Sequence, residues 1–431
     1  MHTTTPAQEL APWATGNPSL GKRSLPETID IAIIGAGPQA LTLVTHMLQK
    51  KATLRRQIVV LDGAGQWMQQ WHHQFAAFEI PHLRSPAVHH PDPDPHALRS
   101  FAAGRYSELF PPYDLPGTTL FSDFCQQVIH RWQVDPLVVA AQVQHIEPLP
   151  AATPFRASRL RLHLTDGRRL EARRVVLALG GGSSQQPDWV EQIPPGYPRD
   201  RLCHSRHIDL RGLRLEGERV LIIGSGLTSA HLAMGAVKRG ASVLLMARRR
   251  FYEKLFDAEP GWLGPKYLKG FFAEPDWSAR WQMIQMARNG GSFTPALMTQ
   301  LRRCSHQGSV QFYEQCQVQR AQWTGAAWQV TCDRTPEHDC LAHLPIDRIW
   351  LATGHHLDVR QWSLLSELQA VDPITYIQGL PILDEHLRWN GRNLFIMGGA
   401  AALHLGPVAR NLYGAKMASD RIVPALTKAT V

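Results

Sequence analysis

Two short glycine-rich segments, about 190 residues apart, carry the residue types that bind phosphate through backbone alone. Gly35-Ala36-Gly37-Pro38-Gln39-Ala40 follows the apolar run Ile31–Ile34, and Gly224-Ser225-Gly226-Leu227-Thr228-Ser229 follows Val220–Ile223. Without Cβ atoms the chain turns sharply and its amides can approach a pyrophosphate. The helix that follows aims its positive end at the same group. The second strand of each unit ends differently. Gln57–Leu61 leads into Asp62, 27 residues after Gly35, and an acid there accepts hydrogen bonds from a ribose 2′-hydroxyl. That spacing is longer than usual, and the polar stretch Gln49–Thr53 accounts for the excess. Ala241–Met246 leads instead into Ala247-Arg248-Arg249-Arg250, with no carboxylate. Guanidinium forks suit a 2′-phosphate, which an acid would repel. The first turn therefore reads as an FAD (or NAD) site built on Gly35, Gly37, Pro38, Ala40 and Asp62. The second reads as an NADPH site built on Gly224, Gly226, Thr228, Ser229, Arg248 and Arg249. Asp62 as a plain turn residue and the arginines as a solvated loop are the alternatives.

Each turn needs a strand before it and a helix after it, which predicts an α/β fold with two Rossmann-like dinucleotide-binding domains. Residues 1–27 read as a flexible tail, and 28–212 as the first part of an FAD-binding domain. In that part Ser158–Thr165 alternates with its leucines on one face. Asp166-Gly167 makes a hairpin turn, and Arg174–Gly181 resumes as a strand. Residues 213–344 read as an inserted NADPH-binding domain, with an aromatic-rich helical insertion at 251–304. Ile349–Gly354 is expected to return the chain to a discontinuous FAD domain, completed by 345–431.

Composition narrows the function. Net charge is +9, but the basic residues are scattered and no basic helix or RNA-binding signature appears, which argues against nucleic acid. No apolar run reaches the roughly 18–20 residues of a bilayer span, and Met1–Pro26 has no signal-peptide core. A cytoplasmic protein without integral membrane association is expected. The six cysteines (Cys125, Cys203, Cys304, Cys316, Cys332 and Cys340) contain no C-x-x-C pair. Disulfide reductases, which pass flavin electrons through such a pair, are thereby excluded. His72, His73, His82, His89, His90 and His96 are close in sequence, but none has the i, i+4 spacing of a helical zinc pair, so no metal is expected.

Several separated motifs carry a family resemblance. Trp71-His72, His90-Pro91-Asp92-Pro93-Asp94-Pro95 with Ser100-Phe101, Leu120–Cys125, Val175–Gly181, His204-Ser205 and Ala352-Thr353-Gly354-His355 occur in the order seen in class B flavin-dependent monooxygenases. Among these the chain is most similar to the ornithine and lysine N-hydroxylating enzymes of siderophore pathways. The resemblance implies an FAD- and NADPH-dependent monooxygenase carrying out C4a-hydroperoxyflavin-type oxygenation of a small substrate with oxygen, N-hydroxylation favoured. It also implies that Trp71 and His72 lie near FAD, that Gly406 and Pro407 open a helix facing the flavin ring, and that His204, Ser205, Thr353 and Gly354 join the NADPH site. His89 and His90 are candidates for proton transfer. Arg84 is the nearest counterpart of the substrate-contacting lysine of the family, through a gapped alignment. The pattern departs from the family at Leu227, where glutamine is usual. An NADPH-flavin reductase or oxidase, and a degenerate flavoprotein with a sensing or binding role, remain alternatives; a homo-oligomer stays open.

Overall fold

The computed structural model describes residues 24–150, 159–333, 341 and 344–427. Most of the expected tail and Cys340 lie outside the described residues.

The first sheet forms around Thr28–Ile34, whose last four residues are buried apolar side chains. Its strand order is Val138–Ala140, Ile58–Asp62, Thr28–Ile34, Arg169–Leu177, Leu160–Leu164, Val143–Pro148. The central pairings are parallel, with Ile31 opposite Ile58 and Ile34 opposite both Leu61 and Leu177. Helices cover such strands on both faces, which is why they read as unbroken apolar runs. The hairpin expected at Asp166-Gly167 is present, with Leu160, Leu162 and Leu164 all buried. Leu394–Ile396 adds a further parallel strand on Arg169–Leu177, so the domain is discontinuous as expected.

The second sheet is parallel throughout, in the order Leu202–His204, Arg348–Leu351, Arg219–Ile223, Ser242–Ala247, Val310–Glu314. This corrects both boundaries of the inserted domain. Leu202–His204 was expected before residue 212 in the FAD domain. Ile349–Leu351 was expected to have returned there. Both instead pair within the NADPH-type sheet, Ile222 lying opposite Trp350. A four-residue strand buried along its whole length carries no mark of which sheet it joins. The crossings between domains come at Ser183–Ser184 and His355–His356, which pair antiparallel as a two-stranded hinge.

The expected insertion 251–304 is also corrected. Its last helix, Pro295–His306, buries Met298, Leu301 and Cys304 in the core shared with Leu232 and Ala236 of the helix Leu227–Lys238. That helix is therefore an integral layer of the second domain. The helices Pro265–Ala273 and Trp277–Arg288 go elsewhere: Trp262, Leu268, Phe271 and Ile284 belong to the core of the first domain. The real insertion thus leaves one lobe to pack on the other. Among the described residues no helix is long and apolar enough to cross a membrane.

Candidate functional site

The two turns repeat one geometry. Gly35 has φ +101°, and a Cβ there would come within 2.7 Å of the Ala178 carbonyl oxygen. Gly224 has φ +151°, with the Ala352 carbonyl oxygen 2.3 Å from a would-be Cβ. Each first glycine therefore seats the turn on the end of the neighbouring strand, where any side chain would collide. Each second glycine is different: a Cβ on Gly37 or Gly226 would meet nothing within 4 Å. These are open cradles at helix N-termini, the helix Pro38–Lys50 beginning directly after Gly37 and Leu227–Lys238 after Gly226.

Asp62 accepts hydrogen bonds from the Ala36 amide at 3.0 Å and the Ala64 amide at 2.9 Å. It therefore fixes the first turn through its carboxylate as well as standing at the strand end. Ala40 is fully buried and serves helix-on-strand packing. Ser229 donates to the Gly226 carbonyl at 2.7 Å and closes its own turn, leaving Thr228 on the accessible side.

The arginines after the second strand separate into two kinds. Arg249 bonds Ser225 Oγ at 3.1 Å, the Gly291 carbonyl at 2.7 Å, and both the carbonyl and side chain of Asn289. It straps the end of the insertion onto the second turn, so tightly that a Cβ on Gly291 would lie 2.9 Å from Gly226 Cα. Arg248 is exposed and bonds no described residue. Of the two residues expected to read a 2′-phosphate, only Arg248 is unencumbered.

Several other expected residues are committed elsewhere. Arg84 donates to the carbonyls of Lys254, Leu255 (2.9 Å), Phe256 (3.1 Å) and Ser292 (3.2 Å), and to Ser292 Oγ at 2.8 Å. Burial pushes its pKa down to about 10, yet it stays cationic at neutral pH and staples the insertion to the Pro81–Pro86 loop. Four of the guanidinium's contacts are thus backbone carbonyls, so the structure uses Arg84 to hold the insertion rather than leaving it free for a substrate. His90 accepts the Asp92 amide on Nδ1 (3.2 Å) and reaches the Pro95 carbonyl through Nε2 (3.3 Å). Both nitrogens serve the proline-rich turn. His89 shares a 2.9 Å hydrogen bond with Ser85 Oγ and lies beside the Tyr413 ring, 5.3 Å between centroids. Burial takes both histidines down to about 4, so they are neutral at pH 7.

Trp71 stacks on Phe75 at 4.1 Å, and His72 shares a 3.1 Å hydrogen bond with Ser122. The Phe75 stack lies within the helix Gln69–Ala77, while Trp71 also meets the Phe121 ring at 5.3 Å and, with His72, pins that helix to the helix Thr118–Arg131. His204 donates to the Gly354 carbonyl (3.1 Å) and accepts the Arg206 amide (3.3 Å). Thr353 donates to the Gln185 carbonyl, and Gly354 has φ +86°. With buried Ser205, these residues build the hinge beside the second turn. Gly406 has φ +79° and faces Leu268, Phe271 and Trp262 of the insertion. The helix expected to open at Gly406 and Pro407 begins instead at Leu412. A turn separates them because Gly406 must adopt the left-handed conformation to pass under the insertion. Among the described residues no group of histidine, cysteine and carboxylate side chains could hold a metal.

Residues that the sequence did not single out join these pieces. Gln39 Nε2, one position into the first helix, donates to the carbonyls of Ala409 (3.3 Å) and Asn411 (3.1 Å). Arg288, at the end of the insertion, donates to the Pro407 carbonyl (3.0 Å) and pairs with Asp257 at 2.5 Å. A continuous path therefore runs from the first turn through Gln39, the segment 407–411, Arg288 and Asn289–Gly291 to Arg249 and the second turn. Side chains from both domains thus link the two glycine turns. No motif marks Gln39 or Arg288, because their importance lies in contacts about 370 and 120 residues away in the chain.

Residues 32–182 match the model of an FAD-NAD(P)-binding domain. Residues 118–357, more than half the chain, match that of the L-lysine 6-monooxygenase/L-ornithine 5-monooxygenase family. The chain belongs to this family. It is accordingly a flavin- and nicotinamide-nucleotide-binding protein. A stretch of 111 residues is 37% identical to an FAD-dependent urate hydroxylase of Xanthomonas campestris, but this is 25% of the chain and only 21% of that protein. The fold is that of the FAD-bound cadaverine monooxygenase of Erwinia amylovora (16% identity, 94% and 95% of the two chains, TM-score 0.71). It is equally that of the ornithine N-hydroxylase of Kutzneria sp. 744, solved with reduced FAD, NADP⁺ and L-ornithine (17%, 93% and 99%, TM-score 0.72).

Proposed function

We propose that this protein is an FAD- and NADPH-dependent monooxygenase that inserts one oxygen atom into a small substrate, N-hydroxylation being the favoured reaction. The observation that carries the reading is the pair of open glycine turns at Gly37 and Gly226, tied together through Gln39, Arg288 and Arg249. The residues fit the cofactors. Gln39 Oε1 is buried with no hydrogen-bond donor near it, and a hydroxyl-rich ligand beside Gly37 would supply one. Bound flavin supplies the redox and oxygen chemistry; the protein supplies orientation and exclusion of water.

Each part of the chain has a task in this reading. Gly35 and Asp62 set the first turn so that its amides face the FAD pyrophosphate. Gly224, Gly226 and Thr228 do the same for the nicotinamide nucleotide, and Arg248 takes the 2′-phosphate. The insertion, tied down by Arg84, Arg249 and Arg288, covers one side of the site and limits entry of water. Because Arg84 already bonds four backbone carbonyls and Ser292 Oγ, an amino-acid substrate held by that residue is not part of the proposal.

The test is steady-state turnover with NADPH, oxygen and a panel of amines and diamines, following oxygen uptake, peroxide release and hydroxylamine product together. Product formed in a fixed ratio to NADPH consumed, with little peroxide, is expected. NADPH oxidation that yields peroxide alone across the panel would move the reading to a reductase or oxidase. A purified protein that takes up no FAD would end it.

A further inference from the structure

The chain crosses between the two domains at a hinge only two residues long on each strand, Ser183–Ser184 against His355–His356. Such a hinge leaves the angle between the domains to whatever else joins them. One segment of the first domain joins them from inside the second. Ala77 and Phe78, at the end of the helix Gln69–Ala77, are buried in the second-domain core with Leu210, Ala233 and Ala236, and Ile80 packs against it. The continuation of this segment is tied to its own domain. Thr118 donates to the carbonyls of Ile80 and Pro81, and the Leu83 amide to that of Pro116.

Glu79, between these anchors, has φ +50°. Its amide bonds the Ala76 carbonyl at 3.1 Å, and the Ile80 amide bonds the Phe75 carbonyl at 2.9 Å. A helix closes this way on a left-handed residue, usually glycine. A glutamate held there is strained, and its side chain supplies the reason. The carboxylate takes both arms of the Arg239 guanidinium, at 2.6 and 3.2 Å. Arg239 caps the C-terminus of Leu227–Lys238, the helix that opens at Gly226, and also donates to the Gly235 carbonyl at 3.0 Å. The C-terminal ends of two helices, one from each domain, are thereby joined. The hydrogen bond from Arg239 holds the Glu79 carboxyl below the ordinary carboxylate range, so the pair is ionised at neutral pH. An exposed ion pair within one surface contributes little to stability, but this one is bidentate and spans two domains.

We propose that Glu79 and Arg239 are a positioning pair that sets the helix Leu227–Lys238, and with it the second glycine turn, against the first domain. Arg239 stands at the opposite end of that helix from the turn, so the pair acts through the helix and not on a nucleotide. Two reacting groups must be held about 3–3.5 Å apart, so a small error in placing them slows their reaction steeply. The inference rests on the two turns holding FAD and NADPH, and not on what is then done with oxygen.

The experiment compares FAD-loaded wild type with Glu79→Gln, Glu79→Gly, Arg239→Gln and Arg239→Lys. Glycine suits the left-handed backbone, so Glu79→Gly removes the ion pair and keeps the helix end; thermal unfolding checks that both domains stay folded. Three quantities are read: NADP⁺ affinity by calorimetry, the flavin difference spectrum at saturating NADP⁺, and the rate at which saturating NADPH bleaches the flavin without oxygen. In Glu79→Gln, Glu79→Gly and Arg239→Gln, bleaching at least fivefold slower and a changed difference spectrum are expected, with NADP⁺ affinity within threefold of wild type. Arg239→Lys keeps the charge and should recover part of the rate. Either an unchanged difference spectrum or bleaching within fivefold of wild type in Glu79→Gly overturns the proposal. So does a loss of NADP⁺ affinity beyond threefold, which would make the pair a support of the turn itself, or a wild type that NADPH does not bleach. Failure of the monooxygenase reading would look different: NADPH bleaches the wild type quickly and the variants slowly, yet no hydroxylated product forms.

Discussion

Replacing Gly37 with alanine separates stability from cofactor binding. Its backbone sits at φ −83°, ψ −173°, an extended conformation open to any residue, and the added methyl would meet no protein atom within 4 Å. The ligand-free protein should therefore fold as before, or gain about 0.4–1 kcal/mol from a less flexible unfolded chain. The same methyl fills the space through which the first turn approaches its pyrophosphate. Losing one amide contact to a charged oxygen costs about 1.5–3 kcal/mol, which is roughly a 10- to 150-fold rise in the FAD dissociation constant. Gly35→Ala is the control. At φ +101°, with a carbonyl oxygen 2.7 Å from the new Cβ, it combines about 1–2 kcal/mol of left-handed backbone cost with a forced shift of the Ala178 strand end. It should lower the melting temperature even without cofactor. The assay is flavin content by visible absorbance beside thermal unfolding of apoprotein. If Gly37→Ala keeps wild-type FAD affinity, or melts as low as Gly35→Ala, the assignment of the first turn is wrong.

Other expectations follow from the same geometry. Arg248→Ala should raise KM for NADPH about tenfold or more and leave NADH unaffected, whereas Arg249→Ala should impair both coenzymes and lower the melting temperature, since it releases Asn289 and Gly291 from Ser225; equal effects of the two changes would refute the division. Arg84→Met should destabilise the protein by about 3 kcal/mol in denaturant unfolding, because it leaves the carbonyls of 254–256 and Ser292 without a donor; an unchanged midpoint with only a raised substrate KM would return Arg84 to the substrate. Burial holds His90, His204, His231 and His404 near 4, below the unfolded value of 6.5. The unfolded chain then binds protons first, so stability is fully present above about pH 6.5 and is lost as pH falls towards 4. Melting temperatures measured across that interval should drop steadily, and a flat profile would contradict the burial.

The sequence by itself determined the two nucleotide units, because strand, turn and helix lie within a few residues of each other and their chemistry is local. A first glycine that must take positive φ, a second that must leave room, and an acid or arginines at the next strand end are all legible without a partner from elsewhere. The hairpin at Asp166-Gly167 was legible for the same reason. Tertiary structure decided everything that depends on which distant surface a segment meets. Arg348–Leu351 is a buried strand in any sheet, and only its pairing with Arg219–Ile223 assigns it to the second domain. Arg84 and Arg249 read as free cations in a linear chain, and only folding surrounds them with carbonyls. Gln39 and Arg288 carry no motif at all: their hold on the segment 407–411 becomes visible only in the fold. Hydrogen bonds between residues hundreds of positions apart leave no trace in local spacing, so a sequence announces the residues that bind through backbone geometry and conceals those that act through side chains brought together by the fold.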